Sequence, residues 1–158
     1  MESTDKLGLL SNPDFEKIIN FDSEPIMFSN RIHHLNRWNI KSERSLVLTD
    51  KFIYEFQKKT LNKKIPISDC RHIIKNLTNL REVLLLFEFQ NDLRFLLDER
   101  EEFLNLLKLR FACVRPDITL RVYGVAGSNL REYLTNKKKR NKVDNLPRED
   151  FRHKTEEI

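Results

Sequence analysis

Glu24-Pro-Ile-Met-Phe-Ser-Asn-Arg-Ile-His-His-Leu-Asn-Arg-Trp-Asn-Ile-Lys-Ser-Glu-Arg-Ser-Leu-Val-Leu-Thr-Asp-Lys-Phe-Ile-Tyr-Glu-Phe56 reads as three short β-strands in succession, with a basic segment between the first two. Ile26, Phe28, Ile32 and Leu35 are apolar among mostly polar neighbours, and an irregularity near Asn30 suits a bulge. Arg37 to Glu43 has turn character and carries Arg37 and Lys41. Leu46 and Leu48 alternate with Ser45, Val47 and Thr49, as in a half-buried strand. Thr49-Asp50 is a tight turn into Lys51 to Phe56, where the period of two puts Phe52, Tyr54 and Phe56 on one face.

Upstream, residues 1–23 form a lead-in. Asn12 or Ser11 caps a short helix through Asp14 to Ile19, with Pro13 near the favoured first position and Phe15, Ile18 and Ile19 as its apolar side. Downstream, Lys58 to Lys64 reads as a basic loop, Ile65-Pro-Ile67 as a short strand and Cys70 to Lys75 as another. Glu82 to Phe89 and Leu93 to Leu97, joined through Gln90-Asn-Asp92, have the pattern of a hairpin. The strongest helix runs from Glu99 to Cys113 after an Asp98 N-cap. Its first turn is acidic and its buried stripe is Phe103, Leu104, Leu107 and Phe111, until Pro116 prevents continuation. Ile118 to Tyr123 alternates like a strand. Ser128 caps a helix from Asn129 to Leu134 that runs into Lys137-Lys-Lys-Arg-Asn-Lys142. Residues 143–158 show no periodicity and read as a charged tail.

The composition narrows the function. With 158 residues there is room for one core of ordinary size plus extensions. Only 3 glycines are present, which argues against phosphate-cradling loops. A formal charge of +5 favours an acidic partner. Cys70 and Cys113 lie far apart without ligand spacing, and adjacent His33 and His34 point to opposite faces of a strand, so neither a metal nor a cofactor is expected. No signal peptide is read at Met1 to Leu10. Arg81, Glu82, Glu88, Asp92 and Arg94 interrupt the most apolar stretch, so no transmembrane segment is read either. A soluble, cytoplasmic protein is the expectation. No nucleophile–base pair appears, so an enzyme is not expected. The basic run lacks interleaved aromatics, which argues against nucleic acid.

Several strands followed by one amphipathic helix is the order of a pleckstrin-homology domain. The chain is most similar to the myosin-I tail homology domain. The similarity rests on Met27-Phe-Ser29, Arg31 to Arg37, Arg44-Ser-Leu-Val-Leu-Thr-Asp50 with Ile53-Tyr54, and Lys64-Ile-Pro-Ile67 before Ile73. It implies an α+β fold: a pleckstrin-homology-like bent antiparallel β-sandwich or barrel, capped by one amphipathic helix and carrying helical terminal extensions. The implied organisation is a lead-in at 1–23, the domain at 24–114, an extra strand and basic helix at 115–142, and the tail at 143–158.

The resemblance also implies a docking module for acidic phospholipids, often phosphoinositides, held by basic residues at the end of the first strand and the start of the second. Here Arg37, Lys41 and Arg44 occupy those places, and Lys58, Lys59, Lys63 and Lys64 form a second rim. Trp38 is suited to a membrane interface or a partner, or to closing the open end of the domain. Lys137, Lys138, Lys139, Arg140 and Lys142 form a further anionic-partner patch. His33 and His34 stand where lysine is usual in the family, and Glu43 between Lys41 and Arg44 opposes an incoming phosphate. The reading favoured by those departures is a non-catalytic scaffold on an acidic protein assembly of the cytoskeleton. Tubulin, and hence the microtubules of cilia, is one acidic polymer of that kind, although no motif names it. The alternative is a phosphoinositide or acidic-membrane adaptor at the membrane periphery.

Overall fold

A computed structural model describes residues 4–134 and 148–150. In chain order the elements are β1 (Thr4–Asp5), α1 (Pro13–Glu16), β2 (Ile26–Leu35), β3 (Lys41–Thr49), β4 (Phe52–Gln57), β5 (Thr60–Pro66), β6 (Cys70–Asn76), β7 (Glu82–Phe87), β8 (Leu93–Leu96), α2 (Arg100–Val114), β9 (Arg121–Val125) and β10 (Arg148–Asp150). β2 to β5 make one antiparallel meander and β6 to β8 another. The two join where β8 pairs with β2, His33 opposite Leu96 and His34 opposite Phe95, so the sheet folds back on itself. Between its layers lie Phe28, Ile32, Leu46, Leu48, Ile53 and Ile65 from the first meander, and Ile73, Val83, Leu85 and Phe95 from the second. The α2 stripe of Phe103, Leu104, Leu107 and Phe111 completes that core. This is the bent sandwich capped by a helix that the sequence predicts.

The helix closes one end only. Arg100 Nη1 donates to the carbonyls of Asn76 and Glu82, both at 2.8 Å, which border the β6–β7 turn. Arg110 Nε donates to the Asp50 carbonyl in the β3–β4 turn at 2.7 Å. The β2–β3, β4–β5 and β7–β8 turns lie at the other end of these strands, away from the Arg100 and Arg110 contacts of α2, and form the open end.

Both outer faces of the sandwich are also covered. The lead-in lies on the first meander, where Leu9, Phe15, Ile19 and Ile26 pack with Val47, Tyr54 and Phe56. A buried clasp holds it: Glu24 Oε2 accepts from Thr49 Oγ1 at 2.5 Å and from Tyr54 Oη at 2.6 Å. On the second meander, Leu130 packs against Ile74, Leu84, Leu86 and Tyr123. Its N–H donates to Glu82 Oε2 at 3.0 Å, the same oxygen that Arg94 Nε reaches at 2.7 Å. β9 joins β6 in parallel, from His72 opposite Arg121 to Asn76 opposite Val125, and β10 pairs antiparallel with β9.

Several local expectations are corrected. Lys58 to Lys64 is not a loop: a tight turn leads straight into β5, because Lys58 itself adopts φ 55° where glycine would normally mark the turn. The following strand ends at Pro66, and Ile67 starts a 3-10 turn. Asp98 does not cap α2 but pairs with Arg81, and Glu99 precedes the helix without a side-chain cap. α1 stops at Glu16, although Asn12 Oδ1 does cap it through the Asp14 N–H. Only a 3-10 turn at Arg131–Tyr133 follows Ser128. Within the expected tail, Arg148–Asp150 is a strand. The basic run at 137–142 lies outside the described residues.

Candidate functional site: the open end of the sandwich

The β2–β3 turn is built by asparagines. Asn36 Oδ1 accepts the N–H groups of Trp38 at 2.8 Å and Ile40 at 3.0 Å, and Asn39 takes φ 61°. Short polar side chains suit this geometry because they bond to nearby backbone and tolerate the left-handed region. The turn thrusts Trp38 outward, 65% exposed, with Ile40 at 59%. Trp38 therefore does not close the open end, as one reading of the sequence had it. The Arg37 guanidinium lies 5.5 Å from its ring centroid.

The β7–β8 turn lies alongside, because β8 runs antiparallel to the end of β2. Arg94 Nη1 spans the two by donating to the Asn36 carbonyl at 3.3 Å. At its tip Phe89 is 82% exposed, while its N–H is held 3.2 Å from each carboxylate oxygen of Asp69. Two aromatic rings thus stand on anchored backbone at one end of the molecule.

Inside the mouth the chemistry is ionic. Glu55 sits opposite Leu46 on β3 and Lys63 on β5, so it shares the core-facing side with Ile53, and it is 1% exposed. His34 Nδ1 lies 3.2 Å from Glu55 Oε2, and Arg44 Nε lies 3.9 Å from Oε1. Lys63 Nζ donates to the Asp92 carbonyl in the β7–β8 turn at 3.2 Å, bracing the two meanders across the mouth. Burial acts to raise the Glu55 carboxyl. The hydrogen bond to His34 and the charges of His34, Lys63 and Arg44 outweigh it and hold the group below the usual carboxylate range.

The candidate cations are therefore divided. Arg37, Lys41 and Lys58 are exposed on the rim, and none of them is ion-paired among the described residues. Arg44 and Lys63 lie inside the mouth. Lys59 pairs with Asp14 at 3.0 Å, beside the lead-in helix. Lys64 lies over the Phe52 ring, 4.4 Å from its centroid. Lys137, Lys138, Lys139, Arg140 and Lys142 lie outside the described residues. Glu43 stands on β3 rather than in a turn, exposed and paired with Arg31 at 3.1 Å. Glu55, Ile40 and Phe89 escaped the sequence reading. Glu55 shares a side of β4 with Ile53, but periodicity alone does not show that this side faces the core. Among the described residues no cluster of His, Cys, Asp and Glu is arranged to hold a metal ion, and no helix is long and apolar enough to cross a membrane.

A comparison with curated protein sequences returns no match. Solved structures similar in fold include the linker and DH/PH domains of p115-RhoGEF, with a TM-score of 0.50 and 12% identity over 65% of this chain and 34% of that one. The chain thus spans about a third of the length of that exchange-factor structure. The hSac2 domain of the human phosphoinositide phosphatase Sac2 is similar over 83% of this chain and 95% of that one, with a TM-score of 0.53 and 8% identity. The C-terminal domain of an unknown protein from Leishmania infantum is similar over 67% and 98%, with a TM-score of 0.53 and 10% identity. These likenesses support the pleckstrin-homology-like fold. The family model described as "Unconventional myosin tail, actin- and lipid-binding" matches residues 3–153. The chain belongs to this unconventional myosin tail family.

Proposed function

We propose that this domain is a non-catalytic docking module whose open end settles on an anionic membrane. The observation that carries the reading is the pairing of Trp38 and Phe89, exposed at the tips of adjacent turns, with the rim cations Arg37, Lys41 and Lys58. A bilayer interface suits that combination. Aromatic rings partition to the headgroup level, and each cation near an anionic leaflet adds about 1 kcal/mol of attraction. Anchored turns favour insertion because little conformational freedom is lost on contact.

The test is sedimentation with phosphatidylcholine vesicles, with and without phosphatidylserine. The double substitution Trp38→Ala and Phe89→Ala is expected to weaken binding to anionic vesicles by about tenfold or more, and salt to weaken the wild type. Unchanged binding by the double variant sinks the reading.

A second reading, docking on an acidic cytoskeletal polymer, is supported by the family's description as actin-binding and by the net charge of +5. Cosedimentation with filamentous actin or with microtubules, in the absence of vesicles, tests it. The two readings put the protein at the membrane periphery or on the cytoskeleton respectively.

A further inference from the structure

We infer that Glu55 is a built-in substitute for a ligand phosphate, so that the open end responds to the charge density of a bilayer and not to the phosphate pattern of one headgroup. This inference rests on the membrane-docking reading for its biological setting and on the geometry of the mouth for its chemistry.

His34, Arg44 and Lys63 come from three different strands, β2, β3 and β5, and surround a single position within the mouth. Arg44 and Lys63 bring charge and His34 a ring nitrogen from separate strands, and donors and charge converging from different sides are what a bound phosphate requires. That point is already filled. The Glu55 carboxylate offers two anionic oxygens there, with the His34 ring nitrogen at 3.2 Å and the Arg44 guanidinium at 3.9 Å. A phosphate entering the mouth meets the carboxylate together with the cations that the carboxylate neutralises. It gains little attraction, and any movement it forces leaves a buried charge uncompensated.

The arrangement is held by charge more than by a saturated set of hydrogen bonds. Arg44 Nε is buried and has no hydrogen-bond acceptor, although it faces Glu55. This donor is therefore able to take another anion once the carboxylate charge is removed. The rim is different: Arg37 and Lys41 at the β2–β3 turn and Lys58 in the β4–β5 turn lie outside this cluster, exposed to solvent. Spread in this way they fit a diffuse anionic surface better than one compact headgroup.

Two arms of one experiment decide the matter, both with the full chain. In the first, wild type is sedimented with vesicles of equal surface charge, made with phosphatidylserine or with a phosphoinositide. Affinities within about threefold of each other are expected, and a preference of about tenfold for one phosphoinositide isomer overturns the inference. In the second, inositol trisphosphate and inositol hexakisphosphate are titrated calorimetrically into wild type and Glu55→Gln. The variant is expected to bind at least about tenfold more tightly than wild type. A folded variant that gains no affinity overturns the inference. Should Glu55→Gln fail to fold without ligand, its melting in the presence of inositol hexakisphosphate decides: restored cooperative melting supports the inference, and its absence overturns it. Failure of wild type to bind any vesicle defeats the docking reading alone, because the soluble arm involves no bilayer.

Discussion

Asn39 at φ 61° and Lys58 at φ 55° hold the left-handed backbone region in two turns of the open end. A Cβ there costs about 1–2 kcal/mol, less for asparagine. Asn39→Ala is therefore expected to lower stability by about 1 kcal/mol, whereas Asn39→Gly stays close to wild type. Urea midpoints measure the difference. Glu55 supplies a second prediction at this scale. Its folded pKa lies below its unfolded value, so the stability it contributes is present above about pH 4.3 and is lost as pH falls through the folded value. Stability measured between pH 7 and pH 2 should fall less steeply at the acid end in Glu55→Gln than in wild type. An identical acid slope in the two proteins would count against this account of Glu55.

Among the elements, β4 best separates what its sequence reveals from what it conceals. Phe52, Tyr54 and Phe56 do share a face, yet that face is the outer one, beneath the lead-in, and Ile53 is the residue that enters the central core. A strand buried on both sides has no polar side to orient it, so periodicity identifies the strand without saying which side faces inward. By contrast the buried stripe of α2 was legible, because the period of 3.6 places Phe103, Leu104, Leu107 and Phe111 on one side, although its start and its cap were not. The lead-in depends on the Glu24 clasp. Burial first, then the hydrogen bond to Glu24 and its charge, push the Tyr54 phenol well above its usual range, so it remains a donor at all ordinary pH values. Tyr54→Phe leaves the Glu24 carboxylate with one buried donor fewer and should destabilise the protein by about 1–3 kcal/mol, read from thermal melts.

At the scale of the molecule, three separate clusters of buried residues among the described residues account for the packing: one between the layers and one on each outer face. The two thiols report on it. Burial pushes the Cys70 thiol up to about 12, whereas Cys113 is exposed on α2. One thiol should react with a disulfide reagent in the native protein and two after unfolding. Rapid reaction of both in the native state contradicts this packing. The order of strands and helix was readable because each element carries its own periodicity. The parallel pairing of β9 with β6 was not, since the partners lie far apart in the chain and nothing local in Arg121–Val125 names its neighbour. The mouth was half-readable for the same reason. Arg37, Lys41 and Arg44 are close in sequence, but the convergence of Glu55 with His34 and Lys63 exists only once three strands are aligned.

That parallel pair has a consequence for biosynthesis. The lead-in leaves the ribosome first and can dock as soon as β3 and β4 have followed it. β6 emerges with both edges unpaired, β7 covers only one of them, and the apolar side formed by Ile74, Leu84 and Leu86 stays uncovered until Tyr123 and Leu130 arrive. Throughout the translation of β7, β8 and α2 the nascent chain thus displays a strand edge of the kind that recruits other strands. Within this domain, the flank beneath the lead-in is protected first and the flank beneath Leu130 last.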